Sequence, residues 1–521
     1  MKMPEISLSY RLNSVNTKVI IFYIGVSLML VAALMLVSGV IACSTPGDES
    51  RFPLICSALL TFVCGLFPLL FVRRGAGRLR FREGNCVVVF SWVAACLFGM
   101  LPFMLYSHEF GFLNALFESV SGFTTTGASI LDDVEALPRG LQFWRISTAW
   151  VGGVGIVTIF SMFVTRVGDR SALSGAEISD VALSSFSGAR NTLFANRVLI
   201  VYLVLTFVTM LALKATGLGW FDAAAHAMSA CSTCGFSTRN ASIAAFENPL
   251  AEMVLTVAML ASALNFGLVF LSFVRGGRKI WRSETARVFL ALVAGFVCVI
   301  ALDLRFAGGY ESLLEAFRDA SFQVASLATT TGFATRDTVQ WPALCMALLW
   351  LCSWVCGCSG STSGGIKIDR LLLAAKGVRA RIRGAVHPDL VRPVRIDGRT
   401  RSADQVGEAS LYIFCYLLIA ALFTVVNVAG GLDFVTGLTA SVAWIGNVGP
   451  GFGDVGSMAN YAHIPALLKA SGIVEMLLGR LEIFPILYLV GVSYRENAPV
   501  RRRSIPWFAS WHRRGSGSGR R

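Results

Sequence analysis

Long apolar runs separated by short basic segments constrain the fold of this 521-residue chain more than any other feature. A helix needs about 20 mostly apolar residues to cross a bilayer, and residues 19–43 and 54–72 are two of many runs that suffice. Only 15% of the residues are charged, against about 25% in soluble proteins. The sequence therefore predicts an all-α polytopic membrane protein with about ten spans.

The net charge of +14 is concentrated in a few connections between the apolar runs. Positively charged loops stay on the cytoplasmic side of a membrane, so they predict a multi-pass protein of the cytoplasmic (inner) membrane with both termini inside. The same charge on a soluble protein would suggest nucleic acid as a partner, and the alternation of basic with acidic or neutral connections argues against that. The basic connections are residues 73–82, 275–287, 376–401 and 495–521.

Four segments of the chain resemble one another, and each ends in a short strip that closes on a glycine. The glycines recur about every 100 residues, which is longer than the period of solenoid repeats. A small residue lies six places before each glycine, as Ser121 lies before the first. We call the four segments strips 1 to 4: Thr125-Thr126-Gly127, Thr233-Cys234-Gly235, Thr330-Thr331-Gly332 and Asn447-Val448-Gly449.

Each strip follows a segment of about 10–12 residues, which is too short to cross a bilayer. Non-helical backbone at membrane depth is tolerated only where protein buries it or where it lines a watery cavity. Potassium channels build such linings from loops whose carbonyl oxygens replace the hydration shell of the ion. The strips therefore predict four pseudo-symmetric helix–re-entrant pore loop–helix repeats around one pore, preceded by two extra N-terminal spans.

This reading divides the chain into six parts. They are an N-terminal two-span domain (residues 1–84), four pore repeats (85–189, 190–283, 284–403 and 404–495) and a basic cytoplasmic tail (496–521).

The chain resembles the superfamily of Trk, Ktr and HKT potassium transporters, and most closely the Trk-type membrane subunits (TrkH/TrkG). The resemblance rests on the four strips, on the glycine-rich segment 357–365 and on the segment 477–482 around Arg480. It implies that carbonyls of the two residues before each strip glycine coordinate potassium, the transported ion, and that the chain binds no cofactor. Serine in place of the first glycine accompanies sodium transport in the family, so Gly127 favours potassium.

The resemblance also places a gate within the second span of the third repeat. Each glycine costs about 1 kcal/mol inside a helix, so this glycine-rich span should be interrupted. A charge within an apolar stretch usually marks function, which singles out Arg480; the alternative is that Arg480 pairs with Glu475 or Glu482 on its own helix. The candidate gate residues are Gly357, Gly360, Ser361, Thr362, Gly364, Gly365, Lys367 and Arg480.

Two other functional classes were weighed against an ion pore. A secondary transporter of another small cation or solute, coupled to sodium or protons, would also have broken helices, but it usually shows two inverted repeats. An enzyme needs a nucleophile, a metal set or an acid–base pair, and the spans offer none, so no enzymatic activity is predicted. Cys231 and Cys234 have the spacing of a redox or zinc motif, but Cys234 falls within strip 2.

The resemblance implies two protein partners, a second copy of the chain in a homodimer and a cytosolic nucleotide-binding regulatory subunit of the TrkA kind. Glu118 and His226 lie on the segments before strips 1 and 2. They are candidate proton carriers, or else anchors for nearby loops. Channel-like and proton-coupled transport both stay open at this point.

Overall fold

A computed structural model describes residues 16–72, 81–107, 110–167, 191–275, 278–387, 393–487 and 489. The predicted basic tail, 496–521, lies outside the described residues. The helices are α1 Thr17–Ser44, α2 Arg51–Phe71, α3 Phe81–Gly99, α4 Leu101–Tyr106, α5 Phe112–Phe123, α6 Arg139–Val167, α7 Asn191–Ala215, α8 Trp220–Ser232, α9 Pro249–Ser262, α10 Phe266–Arg275, α11 Arg278–Arg282, α12 Glu284–Phe306, α13 Leu313–Ala328, α14 Ala343–Trp354, α15 Ile368–Val386, α16 Ala403–Ala429, α17 Phe434–Ile445 and α18 Ala466–Arg480.

Within the described ranges, two small strand pairs accompany the helices. Strands β1 (Val355–Cys356) and β2 (Ile366–Lys367) run parallel, and β3 (Val394–Ile396) and β4 (Arg399–Arg401) form an antiparallel hairpin. Residues 376–401, predicted as a basic connection between spans, begin within a helix. Helix α15 continues to Val386, because the segment 371–386 holds Leu, Ala, Val and Arg, which favour helix or tolerate it, and no proline.

Six described helical segments are long and apolar enough to cross a membrane. They are Thr17–Ser44, Arg51–Phe71, Glu83–Tyr106, Arg197–Ala215, Glu284–Phe306 and Ala403–Ala429. A seventh span arises if α9 and α10, bent by 105° at a short break, are taken as one. The helical membrane fold is therefore confirmed, whereas the predicted count of ten spans is not.

Four helices, α5, α8, α13 and α17, are too short to cross, and we call them the half helices. They contain 12, 13, 16 and 12 residues, or about 18–24 Å at 1.5 Å per residue. Each ends one or two residues before the first residue of a strip, and the last turn of each is buried. Because the carbonyl ends of a helix carry partial negative charge, this arrangement brings four such ends to the strips.

The four repeats form a closed ring through one repeated contact. The helix after each strip packs against the half helix of the following repeat: α6 against α8, α9 against α13, α14 against α17, and α18 against α5. The last contact joins the end of the chain to its first repeat. Buried aromatic rings fill this junction, where Trp444 of α17 stands 6.3 Å from Phe117 of α5, measured between ring centroids.

The two N-terminal spans pack against each other at a glycine pair. A Cβ on Gly25 would lie 2.8 Å from the carbonyl oxygen of Gly65, so only glycine allows α1 and α2 to approach so closely. This pair packs beside the first repeat, through contacts of α1 with α3 and α6. The two N-terminal helices therefore flank the ring at its first repeat.

Candidate ion-conduction site

All four half helices end in the same backbone turn. In strip 1 the N–H of Thr125 donates to the carbonyl of Gly122, and the N–H of Thr126 donates to that of Ser121, both at 2.8 Å. These two bonds define a Schellman motif, the common way to satisfy the last carbonyls of a helix. The second bond recurs from Cys234 to Ser229 (3.1 Å), Thr331 to Ser326 (2.8 Å) and Val448 to Ala443 (2.9 Å). The acceptors are the small residues found by aligning the repeats.

The turn forces the first residue of every strip into the left-handed region. The φ angles of Thr125, Thr233, Thr330 and Asn447 are 54°, 54°, 57° and 52°. A non-glycine residue rarely adopts this conformation, which costs about 1–3 kcal/mol and is typical of functional sites. Its occurrence at four equivalent positions, three threonines and one asparagine, shows that the four strips share one backbone geometry.

The strip glycines also have positive φ, between 79° and 97°, and each lies against the next strip. A Cβ on Gly127 would overlap the carbonyl oxygen of Cys234 in strip 2. The same overlap would join Gly235 to Thr331, Gly332 to Val448 and, at 2.6 Å, Gly449 back to Thr126. These four contacts close a ring, in which a carbonyl oxygen lies at every junction between strips.

An open cavity of about 160 Å³ lies on one side of this ring. All four strip glycines line it, together with polar residues of the loops that follow the strips, among them Asp132, Arg239 and Asn460. The ring is therefore reached from solvent through a polar mouth. We call this the outer side.

Polar side chains on three half helices hold the loops that leave the strips toward this mouth. They lie nine residues before each strip glycine, at Glu118, His226 and Gln323. Glu118 accepts from the hydroxyl of Ser129 (3.1 Å), His226 Nε2 lies 2.8 Å from Ser237 Oγ, and Gln323 Nε2 donates to the carbonyl of Arg336 (3.2 Å). Both candidate proton carriers thus have loop partners.

Glu118 makes a second contact that links two repeats. Its Oε1 lies 2.5 Å from Nε of Arg145, and Arg145 donates through Nη1 to the carbonyl of Ser237 in the loop after strip 2. The guanidinium also lies 3.6 Å from the ring centre of Phe236. Because charge-assisted bonds are the strong ones, this buried set fixes the position of strip 2 relative to strip 1.

Strip 4 differs from the others by using an amide side chain. Asn447 Nδ2 donates to Thr126 Oγ1 in strip 1 and to the carbonyl of Met476 in α18, both at 3.0 Å. A threonine hydroxyl could not donate twice. The asparagine that departs from the Thr-Thr-Gly pattern therefore ties strip 4 both to its neighbour and to the helix that follows it.

The span of the third repeat is interrupted where its glycines predict a break. Helix α14 ends at Trp354 and α15 begins at Ile368, and the parallel pairing of Val355 with Ile366 and of Cys356 with Lys367 closes the segment between them. We call residues 355–367 the inner loop. The serine, threonine and cysteine residues of this loop are mostly buried, so it lies within the protein rather than on its surface.

The inner loop touches the strips directly. The N–H of Gly364 donates to Thr330 Oγ1 in strip 3 at 2.7 Å. Thr362 Oγ1 donates to the carbonyl of Cys231, at the end of the second half helix, at 3.0 Å. A Cβ on Gly364 would overlap the carbonyl oxygen of Gly446, just before strip 4. The loop therefore closes the side of the ring opposite the outer cavity.

Arg480 joins the inner loop to a neighbouring repeat. Nη1 donates to the carbonyl of Thr362 at 2.8 Å, and Nη2 donates to the carbonyl of Gly152 in α6 at 2.9 Å. Its side chain is buried. Of the acidic residues considered as partners, Glu475 lies 2.5 Å from Ser441 Oγ and Glu482 lies 2.6 Å from Nη2 of Arg370.

Lys367 is the second cation at the inner loop, and it is almost fully buried, with 1% exposed. Its Nζ donates to the carbonyl of Ser363. Gly360 accepts from the N–H of Phe266, and the positive φ of Gly360 and Gly365 (79° and 62°) turns the loop. Gly357 packs so closely against Ala263 that a Cβ would lie 2.7 Å from its carbonyl oxygen.

A second broken span, which was not predicted from the sequence, holds the inner loop in place. Residues 263–265 separate α9 from α10. There the carbonyl of Ala263 accepts from the N–H of Cys358 (2.8 Å), and Asn265 Nδ2 donates to the carbonyl of Ser359 (2.6 Å). Asn265, an amide within an apolar run and two residues before Gly267, was the signal available in the sequence.

Comparisons with known proteins agree on one family. The family model TrkH, described as a cation transport protein, matches residues 57–495. The chain is 35% identical over 421 residues to the Trk system potassium uptake protein TrkH of Halomonas elongata, covering 80% of this chain and 86% of that protein. It is 31% identical over 480 residues to the TrkH of Vibrio parahaemolyticus, covering 91% and 98%.

The fold gives the same result. The crystal structure of the potassium transporter TrkH from Vibrio parahaemolyticus superposes with a TM-score of 0.83 at 30% sequence identity, over 91% of this chain and 98% of that one.

Proposed function

Since this chain belongs to the TrkH family, a family of cation transporters rather than of enzymes, we propose that it is the membrane-embedded subunit of a potassium uptake system. Ions would pass through one selective pore whose filter is the ring of four strips. The observation that carries the proposal is the closed set of contacts between each strip glycine and the carbonyl oxygen of the next strip. A ring of backbone carbonyls is the established means of replacing the hydration shell of potassium.

The ion path follows from the geometry of the ring. A hydrated cation would enter the outer cavity, exchange water for carbonyl oxygens of the strips, and face four helix ends of partial negative charge. The carbonyls implied are those of the two residues before each strip glycine. Because glycine at each junction keeps the strips in contact, a side chain there would push the oxygens apart and weaken the discrimination between ions.

We also propose that the inner loop and Arg480 form the gate. The loop closes the inner side of the ring through Gly364 and Thr362, and Arg480 holds the carbonyl of Thr362. A guanidinium at that position would both restrain the loop and repel a passing cation. Opening would require these bonds to break and the loop to move away from the strips.

The proposed assembly follows the family rather than any contact within the chain. We propose a homodimer in the cytoplasmic membrane, with the basic connections and both termini inside. A cytosolic nucleotide-binding subunit of the TrkA kind would act on the inner side. The name Trk system, which the relatives carry, fits a protein with further components.

The test is cation flux into liposomes that hold the purified protein, with potassium, rubidium, sodium and lithium compared. We expect preference for potassium and rubidium, and loss of that preference in Gly127→Ser, whose Cβ would meet the carbonyl of Cys234. Equal flux of all four ions in the unaltered protein would show that the strips are not a selective filter. Saturable flux of another solute would instead favour a secondary transporter.

A further inference from the structure

A basic cleft lies beside α15, away from the strips. Its volume is about 220 Å³, and it opens between α15 and the β3–β4 hairpin. Four of the seven described residues that line it are basic and none is acidic: Lys376, Arg379, Arg383 and Arg395, with Ala380, Pro393 and Val394. We propose that this cleft binds the phosphate of an anionic lipid headgroup.

The positive charge of the cleft is largely uncompensated. Within the described part of the chain, Arg379, Arg383 and Arg395 form no ion pair, and Lys376 pairs with Glu284 at 2.5 Å. Asp397, in the turn of the β3–β4 hairpin, accepts from the N–H of Glu284 at 2.5 Å. Three guanidinium groups thus converge on one cavity, and no described carboxylate pairs with them, which is an arrangement that suits a phosphate oxygen.

The depth of the cleft matches the headgroup layer of a bilayer. The ion pair of Lys376 with Glu284 places the cleft level with the first residue of α12, a 23-residue membrane span. Trp281, three residues before that span, is 66% exposed, and tryptophan is enriched at membrane–water interfaces. The guanidinium groups therefore lie where phosphates of the lipid are expected.

The apolar side of α15 favours a lipid over a soluble anion. Val378, Ile382 and Val386 are 60%, 62% and 67% exposed. Their spacing of four puts them on one face of the helix, directly beside Arg379 and Arg383. A free phosphate would leave this stripe in water, whereas a lipid would cover it with its acyl chains while its headgroup occupied the cleft.

The proposed site lies at the far end of the helix that leaves the inner loop. Lys367 is the last residue of that loop, and α15 begins at Ile368. A lipid bound at Arg379 and Arg383 would hold the end of α15 at the membrane surface.

The test is native mass spectrometry of the delipidated full-length protein, titrated with phosphatidylglycerol and with phosphatidylcholine. We expect preferential retention of phosphatidylglycerol. The variant Arg379→Gln/Arg383→Gln/Arg395→Gln should bind it more weakly, by about fivefold for each charge removed. Arg381→Gln is the matched control, because Arg381 lies exposed on the same helix but does not line the cleft.

Three outcomes would overturn the proposal. The triple variant could bind phosphatidylglycerol as the Arg381→Gln control does, or both lipids could bind equally to the unaltered protein. Glycerol phosphate without acyl chains could bind as tightly as the lipid, which would make the site one for soluble anions. The thermal unfolding temperature of each variant, measured in parallel, separates loss of the site from loss of the fold.

Discussion

The ring of strips and the inner loop differ in the contacts that hold them in place. The ring depends on backbone: its four turns share φ angles and hydrogen bonds although their side chains are Thr, Thr, Cys and Val at the position before the glycine. The inner loop occurs once and adds side-chain anchors to its backbone bonds, with Thr362, Asn265 and Arg480 each reaching a different partner. Apart from Asn447, whose amide bonds to strip 1 and to α18, the ring should therefore tolerate changes of side chain that keep its glycines better than the loop does.

The largest effect should come from a Cβ at a junction of the ring. Gly332→Ala would press against the carbonyl of Val448 and should abolish selectivity for potassium over sodium in liposome flux. Gly309→Ala is the control, because Gly309 has a similar φ of 75° and nothing within 4 Å of its added Cβ. Gly309→Ala should lose only the free energy needed to hold alanine in the left-handed region, about 1–2 kcal/mol. Equal selectivity in both variants would contradict the proposed ring.

A second prediction separates restraint by Arg480 from its charge. Arg480→Ala should raise basal flux, since bonds from a charged group to Thr362 and Gly152 are worth about 1.5–3 kcal/mol each. Loss of each bond should shift the equilibrium between the closed and open states toward the open state by about 10- to 100-fold. Arg480→Lys keeps the charge but cannot span both carbonyls, so intermediate flux is expected. Unchanged basal flux in Arg480→Ala would remove this residue from the gate.

The third prediction tests the side-chain support behind strip 4. Glu475 is fully buried and bonds to Ser441 on the half helix, while the next residue, Met476, accepts from Asn447. Glu475→Ala would leave a cavity and remove one of the two partners of Ser441 Oγ, the other being the carbonyl of Ala420, at a cost of about 2–4 kcal/mol. Glu475→Gln preserves size and hydrogen bonding and should unfold near the temperature of the unaltered protein. The measurement is the thermal unfolding temperature of both variants in detergent. Equal unfolding temperatures of Glu475→Ala and Glu475→Gln would contradict the prediction.

The smallest effect concerns the outer loops between the first two repeats. A hydrogen bond from Asn240 lowers the pKa of Asp133 below its usual value. A lowered pKa in the folded protein contributes stability that is present above the usual aspartate range and is lost as the pH falls through the lowered pKa. Asp133→Asn should therefore flatten the decline of unfolding temperature between about pH 5 and pH 3. If the unfolding temperatures of Asp133→Asn and of the unaltered protein declined in parallel, Asp133 would not contribute to the pH dependence of stability.

The sequence could predict the ring far better than the loop, for a physical reason. A glycine at a positive φ and a helix too short to cross are local properties, so four repeats of the same pattern were enough to locate the strips. The partners of Arg480 could not be read in this way, because Gly152 lies 328 residues away in the chain. The break at Ala263–Asn265 was overlooked since its residues, apart from Asn265, suit a continuous helix.

The predicted count of ten spans stays a prediction, because only six described helical segments are long and apolar enough on their own, or seven with the bent pair α9–α10. A scan for apolar length assumes that each span is one continuous helix, whereas α14 and α18 have only 12 and 15 residues. Breaks near the ring shorten these helices and place polar residues between their parts. These shortened helices lead to the candidate gate: α14 ends at the inner loop, and α18 ends at Arg480.

The covalent linkage of four repeats in one chain bears on how this pore can change. In a channel of four identical subunits, one substitution in the filter appears in all four subunits. Its effect on the free energy of the filter is therefore counted four times. Here each of the four strips is encoded separately, so one strip can change while the other three are preserved. The amide of Asn447, bonded to Thr126 and Met476, is such a departure in one strip, and a symmetric assembly could not adopt it at a single position.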